Sequence, residues 1–392
     1  MSNAMKSAVI VDVIRTPSGR GKLGGALSSI HPVDLLANTI RTLVQRNNID
    51  PVLVDDVIGG CVAQAGKQTY NITRSAVLGA GFPDSVPAVT IDRQCGSSQQ
   101  AASFAAQGIM SGSYDIAIAC GVESMSSNPI GYSIMGEDIY GEQVHARYPE
   151  GLVGQGISAE LIARKWRFSR AQLDDFSALS HTNAAAAQAA GAFDSEIIPM
   201  NGATVDETVR PSTTTEGLAA LQSAFYTDRL AERFPELEWM ITPGNSSPLT
   251  DAASAALIMS EEKAQQLGLR PRARLHTFSV VGSDPMLMLT GVIPATKKVL
   301  QRAGLTINDM DVYEVNEAFA PVPLAWLTET GADPAKLNPR GGAIALGHAL
   351  GASGTRLLAT MLNHLESIGG RYALQTMCEG GGMANATIIE RL

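Results

Sequence analysis

The sequence predicts an α/β protein of two similar halves with a long segment inserted between them, and three observations carry that prediction. The composition is that of a tightly packed α/β chain. Of 392 residues, 45% are hydrophobic, 17% charged and 5% aromatic, with 38 glycines, enough for one large or two to three ordinary domains with real cores. An apolar strand, a glycine-rich turn and a small-residue helix follow one another twice, in the same order. Residues 122 to 250, between the two occurrences, differ in character.

Residues 6 to 14 read as a buried strand. Pro32 to Asn47 carries apolar residues at helical spacing, and Val54 to Gly60 reads as a strand ending at a glycine turn. Ala88 to Asp92 is a short strand running into Cys95, and the small residues from Ser98 to Gly108 suit a closely packed helix. Tyr114 to Gly121 is a continuous apolar strand. In the second half, Met310 to Glu317 parallels the Asp55 segment. Gly341 to Gly354 followed by Thr355 to Ile368 parallels Cys95 and its helix, and Gly370 to Cys378 parallels the Tyr114 strand. Identity between the halves is low, so the order of elements carries the argument. In the inserted segment, Ser126 to Gly156 is rich in Gly, Ser, Tyr and Pro. Helices are expected from Ser158 to Arg167 and from Ser169 to Ala190, the second with a solvated acidic pair at Asp174 and Asp175. Residues 199 to 217 read as irregular. The whole segment is expected to cap a site, and the second half to start near Leu269-Arg270-Pro271.

A net charge of −9 without a basic cluster argues against a nucleic-acid partner. An anionic ligand stays open, because a few local cations or a helix N-terminus can hold phosphate. Four cysteines (Cys61, Cys95, Cys120, Cys378) with no C-x-x-C pair suit reduced thiols in a cytosol-like compartment rather than a disulfide framework or zinc site. No run of about 18 apolar residues suggests a membrane span. Met1-Ser2-Asn3-Ala4 reads as a cloning remnant rather than a signal peptide, and Glu390-Arg391-Leu392 is not a peroxisomal address.

The chemistry is concentrated in three glycine-rich settings. Cys95 lies in Asp92-Arg-Gln-Cys-Gly-Ser-Ser98, where a strand–turn–helix context puts its sulfur near a helix N-terminus that favours thiolate. His348 lies in a glycine-flanked loop and can activate a thiol as Cys–His pairs do. Cys378 opens Cys-Glu-Gly-Gly-Gly-Met383, whose backbone can cradle an anion. A nucleophilic thiol needs one base and a carbanion-forming reaction needs a second, and two thiols with one imidazole supply both. Taken singly, each has a plainer account: a free cysteine is commonly a small buried hydrophobe, a lone histidine a satisfied structural group, and a triple glycine a turn with positive φ. Asn316, ending a buried strand before Glu317-Ala318-Phe319, could hold a water or an oxyanion, or simply cap a helix. Cys61 and Cys120 end apolar strands and read as structural.

Together these motifs resemble the thiolase family along essentially the whole chain. The resemblance rests on Cys95-Gly96-Ser97, Gly121-Val122-Glu123-Ser124-Met125, Gly244-Asn245-Ser246-Ser247, Asn316-Glu317-Ala318-Phe319, His348 and Cys378-x-Gly-Gly-Gly. It implies a thiolase-like fold with two βαβαβαββ halves stacked in layers. Residues 1–121 with 251–271 would form the N-terminal half, 122–250 a loop domain over the coenzyme A site, and 272–392 the C-terminal half. It implies that Cys95 carries the acyl group, His348 takes its proton, and Cys378 is the acid/base at the α-carbon. Asn316, through a water, and His348 would form the oxyanion hole for the enolate, and the N–H groups of Cys95 and Gly380 the hole for the tetrahedral intermediate. Ser247 would lie near the pantetheine arm and Arg210 near the nucleotide. No metal or prosthetic group is implied; coenzyme A is a co-substrate beside the acyl-CoA. The expected assembly is a homo-oligomer, dimer or tetramer, for which Ala88–Asp92 would suit an interface, in the cytoplasm and without a membrane partner.

Departures from the family pattern bear on substrate. Ala349 follows the histidine where proline is usual, Ala384 replaces a glycine, Ser98 and Gln99 replace a glycine and an apolar residue, and Gly217 replaces a serine. Gly154-Gln155-Gly156 stands for the His-Met-Gly of many acetoacetyl-CoA thiolases, and Leu289 and Val292 stand for a Gly and a Pro. These last two changes point away from acetoacetyl-CoA and toward a longer, branched or ring-derived acyl group in a degradative thiolase. Three rivals remain: a short-chain acetoacetyl-CoA thiolase, a ketoacyl synthase, which would normally pair its cysteine with two histidines or His and Asn, and an inactive acyl-CoA binder.

Overall fold

The computed structural model describes residues 6–392; the leader Met1–Ala4 lies outside them. The strands are β1 (Ala8–Arg15), β2 (Gly19–Arg20), β3 (Asp56–Gly60), β4 (Ala88–Ile91), β5 (Ile116–Ser124), β6 (Thr250–Ser260), β7 (Ala273–Gly282), β8 (Val312–Val315), β9 (Tyr372–Glu379) and β10 (Met383–Arg391). They form one sheet in the order β4-β3-β5-β6-β1-β7-β10-β9-β8, with β2 beside β6. The two halves meet at β1 and β7, which pair only through Val9–Arg274 and Ile10–Ala273. Within each half the ladder has the same logic. β3 and β5 are parallel and β6 and β1 antiparallel; β8 and β9 are parallel and β10 and β7 antiparallel.

The helices are α1 (Pro32–Arg46), α2 (Ile72–Gly79) and α3 (Ser97–Met110) in the first half, then α4 (Gly141–Arg147), α5 (Gln155–Trp166), α6 (Arg170–Ala189), α7 (Thr215–Ala219) and α8 (Asp228–Arg233) between β5 and β6. After β6 come α9 (Glu261–Gln266), α10 (Val292–Ala303), α11 (Pro321–Thr330), α12 (Ala343–Leu346) and α13 (Ser353–Ser367). Three apolar clusters separate the layers. Leu35, Leu36, Ile40 and Leu43 of α1 pack on one face of the first half's strands. Ala101, Ala105 and Ile109 of α3 and Leu358, Leu362 and Leu365 of α13 fill the middle. Val292 and Val299 of α10 and Trp326 of α11 cover the far face of the second half.

The small residues of α3 allow close approach at the centre. A β-carbon on Gly354 would collide with the Gln99 backbone, so glycine is required where α13 meets α3. The two departures beside Cys95 are polar links from α3, one to α13 and one to β10. Ser98 Oγ accepts the Thr355 N–H at 3.0 Å, and Gln99 Nε2 donates to Thr387 Oγ1 at 2.9 Å.

Several expectations need correction. The second half lacks a full third strand: where β4 lies in the first half, the structure has a single parallel bridge from Tyr313 to Leu337. Asp174 is buried, not solvated; it accepts from Arg170 Nε at 2.7 Å and Asn245 Nδ2 at 3.0 Å, and only Asp175 is exposed. Cys120 sits inside β5 rather than at its end. β6, β7, β10, α2, α10 and α11 are further elements beyond those expected from the sequence. A capping box starts α6 at Ser169: its side chain accepts from Gln172 N, and Gln172 Oε1 accepts the Ser169 N–H at 2.8 Å.

Candidate active site

Cys95 leaves β4 through a strained turn. Gln94 holds φ at +47°, a region costly for a residue with a β-carbon. Asp92 Oδ1 fixes the turn by accepting the Gln94 N–H at 2.6 Å, and Ser97 Oγ accepts the Arg93 N–H at 2.9 Å and donates to Gln94 O at 2.6 Å. The turn points Cys95 inward, 1% exposed. The thiolate expected from the α3 N-terminus is opposed here: burial first, then the neighbouring Cys378 and Glu379, push the Cys95 thiol well above its ordinary range, against lowering by its backbone N–H and a Gln155 hydrogen bond.

His348 sits in the loop between α12 and α13. Gly347 takes φ +84° with Thr250 pressed against it, and Thr250 Oγ1 accepts the His348 N–H at 2.9 Å. Ser353 Oγ lies 2.8 Å from Ala349 O and 2.6 Å from His348 Nδ1; its single proton satisfies both contacts when it goes to Ala349 O and the ring donates Nδ1–H. That tautomer leaves Nε2 unprotonated, the form a base needs. Burial, helped by Arg356, lowers the imidazole to about 3, so it rests neutral.

Asn316 brings the remaining members together. Its Nδ2 lies 3.4 Å from His348 Nε2 and 3.7 Å from Cys378 Sγ. It is not a helix cap: its N–H continues the β8–β9 ladder to Thr376 O at 3.1 Å, and α11 begins only at Pro321. Asn316 Oδ1 is buried without a protein partner, as expected of a group that awaits water or substrate. Cys378, near the end of β9, is fully buried and pushed up to about 11 by desolvation, opposed by the Asn316 hydrogen bond. Leu289 and Val292 are fully buried in the apolar cluster that also contains Cys378. Gly380 faces the Cys95 turn, its α-carbon substituent position close to Gln94 Oε1 and Gln155 Nε2. Gly381 and Gly382 do take positive φ, so the turn account of the triple glycine holds alongside.

Two buried carboxylates, named in the motifs but given no role, tie the loops. Glu317 accepts from Ser180 Oγ at 2.7 Å, Asn338 Nδ2 at 2.8 Å and Ile344 N at 3.1 Å, joining the β8 end to α12. Glu123 accepts from Val62 N and Gly351 N, each at 2.9 Å, joining the first half to the His348 loop. Ser353 was missed too: its letter sits in plain view five residues past His348, but only the loop's path gives it a purpose.

Ser247 and Arg210 stand apart from this cluster. Ser247 is half-buried and its N–H donates to Ala318 O at 3.0 Å; Arg210 is exposed and its N–H donates to His181 Nδ1 at 3.2 Å. Arg210 lines a cleft of about 410 Å³ with Arg20, Lys22, Glu207, Pro248 and Leu249, and the next residue, Thr250, is the one that holds the His348 loop. Among the described residues no group of three or more His, Cys, Asp or Glu is placed to hold a metal ion, and no helix is long and apolar enough to cross a membrane.

An imidazole, an amide and two thiols are thus buried where two similar halves meet, the arrangement that the thiolase resemblance implies. Family models agree. The thiolase N-terminal domain matches residues 8–262 and the thiolase C-terminal domain residues 269–391. The chain is 50% identical to a steroid 3-ketoacyl-CoA thiolase of Mycobacterium tuberculosis, over 99% of this chain and 95% of that protein. It is 44% identical to a 3-ketoacyl-CoA thiolase of Aliivibrio salmonicida, over 99% and 100%. A crystal structure of the Bacillus anthracis acetyl-CoA acetyltransferase superposes with a TM-score of 0.88 at 35% identity, covering both chains fully. The chain belongs to the thiolase family and is an acyltransferase.

Proposed function

We propose that this thiolase cleaves 3-ketoacyl-CoAs with bulky, ring-derived acyl groups, using coenzyme A to release acetyl-CoA and an acyl-CoA two carbons shorter. Cys95 Sγ attacks the C3 ketone while its proton passes to His348 Nε2. The C2–C3 bond then breaks. The electron pair on C2 takes a proton from Cys378, and acetyl-CoA leaves. Coenzyme A gives its proton to the Cys378 thiolate and attacks the acyl–Cys95 thioester. Cys95 leaves as thiolate and recovers its proton from His348. His348 and an Asn316-held water would stabilise the enolate, and the N–H groups of Cys95 and Gly380 the tetrahedral intermediate. The pantetheine arm would run past Ser247 with the nucleotide toward Arg210, and residues 122–250 would cover the bound coenzyme. We place the enzyme in the cytoplasm as a dimer or tetramer joined through the β4 edge.

The observation that carries the chemistry is Asn316 within hydrogen-bonding range of both His348 Nε2 and Cys378 Sγ. The substrate reading is supported by Gln155 beside Gly380 and by the steroid-acting relative being more similar than the acetyl-CoA acetyltransferase, 50% against 35%. The test is CoA-dependent thiolysis across a panel from acetoacetyl-CoA to long and ring-bearing 3-ketoacyl-CoAs, following loss of enolate absorbance. Turnover should rise with acyl size. Equal or better turnover of acetoacetyl-CoA would make this a short-chain enzyme, and acyl-CoA binding without turnover of any substrate would make it an inactive binder.

A further inference from the structure

Cys378 and Glu379 are consecutive at the end of β9, so their side chains leave on opposite faces. Cys378 turns toward Asn316 and the apolar cluster around Leu289. Glu379 turns the other way, beneath the nucleophile. Its carboxyl is fully buried, and Oε1 occupies the space a β-carbon on Gly96 would need; the residue after Cys95 is glycine because Glu379 is there. Asn385, from β10, presses on the same point and donates Nδ2 to Gly96 O at 3.0 Å. Neither carboxyl oxygen of Glu379 has a hydrogen-bond partner among the described residues, and Asn385 Oδ1 and Arg93 Nε beside it have none either.

A carboxylate buried without partners escapes the cost of desolvation by keeping its proton. Burial raises Glu379 to about 8, with Arg93 opposing and Asp92 adding to the effect. The charged and titratable groups facing it are Asp92, Arg93 and Cys95 from the turn and Cys378 from its own strand, while β10 contributes the neutral Asn385. A charge on Glu379 raises both thiols.

We propose that Glu379 is a positioning residue for the nucleophile: a neutral carboxylic acid wedged under the Cys95 turn, where a carboxylate would oppose the negative charge that sulfur must develop during attack. This assignment takes Cys95 as nucleophile from the reading above, and it gives the variable position of the Cys-x-Gly-Gly-Gly motif a role.

The test is Cys95 alkylation by iodoacetamide, located by peptide mass spectrometry, from about pH 6 to about pH 10 in the full-length wild type and in Glu379→Gln, which cannot ionise. The wild type should show a break near pH 8, below the thiol's own titration. E379Q should lose the break, alkylate several-fold faster above it, and keep kcat/KM for thiolysis where the wild type declines. Superimposable profiles would overturn the proposal. Should E379Q fail to fold, the wild type alone decides, because a profile without the break overturns it equally. Alkylation needs no 3-ketoacyl substrate, so a wrong substrate assignment leaves this measurement intact, whereas Cys95 left unmodified while another residue reacts would take the nucleophile reading down with it.

Discussion

Replacing Ser353 with alanine isolates the hydroxyl that sets the His348 tautomer. Ser353 Oγ donates to Ala349 O at 2.8 Å and accepts His348 Nδ1–H at 2.6 Å. Without it, Nδ1–H is buried with no acceptor, and the ring gains by moving its proton to Nε2, the atom proposed above to receive the Cys95 proton. The hydrogen bond also strengthens as the ring becomes imidazolium during attack. A hydrogen bond to a charged group is worth about 1.5–3 kcal/mol, and at about 1.4 kcal/mol per factor of ten the acylation step should slow roughly 10- to 150-fold. Ala349 O loses its partner as well, so Tm should fall by about 1–2 °C for a chain of this size. The assay is kcat/KM for thiolysis alongside the rate of Cys95 alkylation at neutral pH, both of which should fall together. An S353A enzyme within twofold of wild type in both would refute the tautomer argument, and a large fall in Tm with unchanged rates would reduce Ser353 to a structural residue.

Two further outcomes follow from the same geometry. Cys378→Ala should abolish cleavage of 3-ketoacyl-CoA, which requires a proton at C2, and slow acyl exchange between an acyl-CoA and labelled coenzyme A less, because exchange uses Cys378 only to take the coenzyme A proton, which solvent can also accept; equal loss of both reactions would assign the two thiols differently. His181 is lowered to about 4 by burial and by Arg210. A depressed histidine stabilises the fold above its unfolded value of 6.5, and that contribution is lost as pH falls toward 4, at up to about 1.4 kcal/mol per unit. His181→Gln should therefore lose less Tm than wild type between pH 6.5 and pH 4, and parallel Tm curves for the two proteins would show that His181 does not titrate in that window.

The repeat of strand, glycine turn and helix was legible because both copies leave the same local mark: an apolar run, then glycines, then alanines or other small residues. The third strand of the second half was illegible for the converse reason. One bridge at Tyr313–Leu337 needs no run of β-formers. Asp174 looked solvated because an Asp-Asp pair on a helix usually is, and only the return of the chain through Asn245 buries it. The thiols and the histidine could be named from their glycine settings, but not their ionisation. Proximity of Cys95 to a helix start argued for thiolate, while complete burial, a property of the stacked halves, argues more strongly for the neutral thiol.

That reversal has a consequence for how the site works. Cys95 and Cys378 lie above their ordinary range, and His348 lies well below it. At neutral pH the resting cluster therefore holds no charge on the three groups expected to move protons, and desolvation costs least in that state. Charge must then appear only as the substrate carbonyl accepts it, in a cavity where Asn316 and the backbone already point polar atoms inward. Preorganised dipoles of this kind act on the transition state without stabilising a charged resting enzyme. A neutral Glu379 completes the arrangement, since a fixed carboxylate at that position would oppose each negative charge that the reaction develops on sulfur.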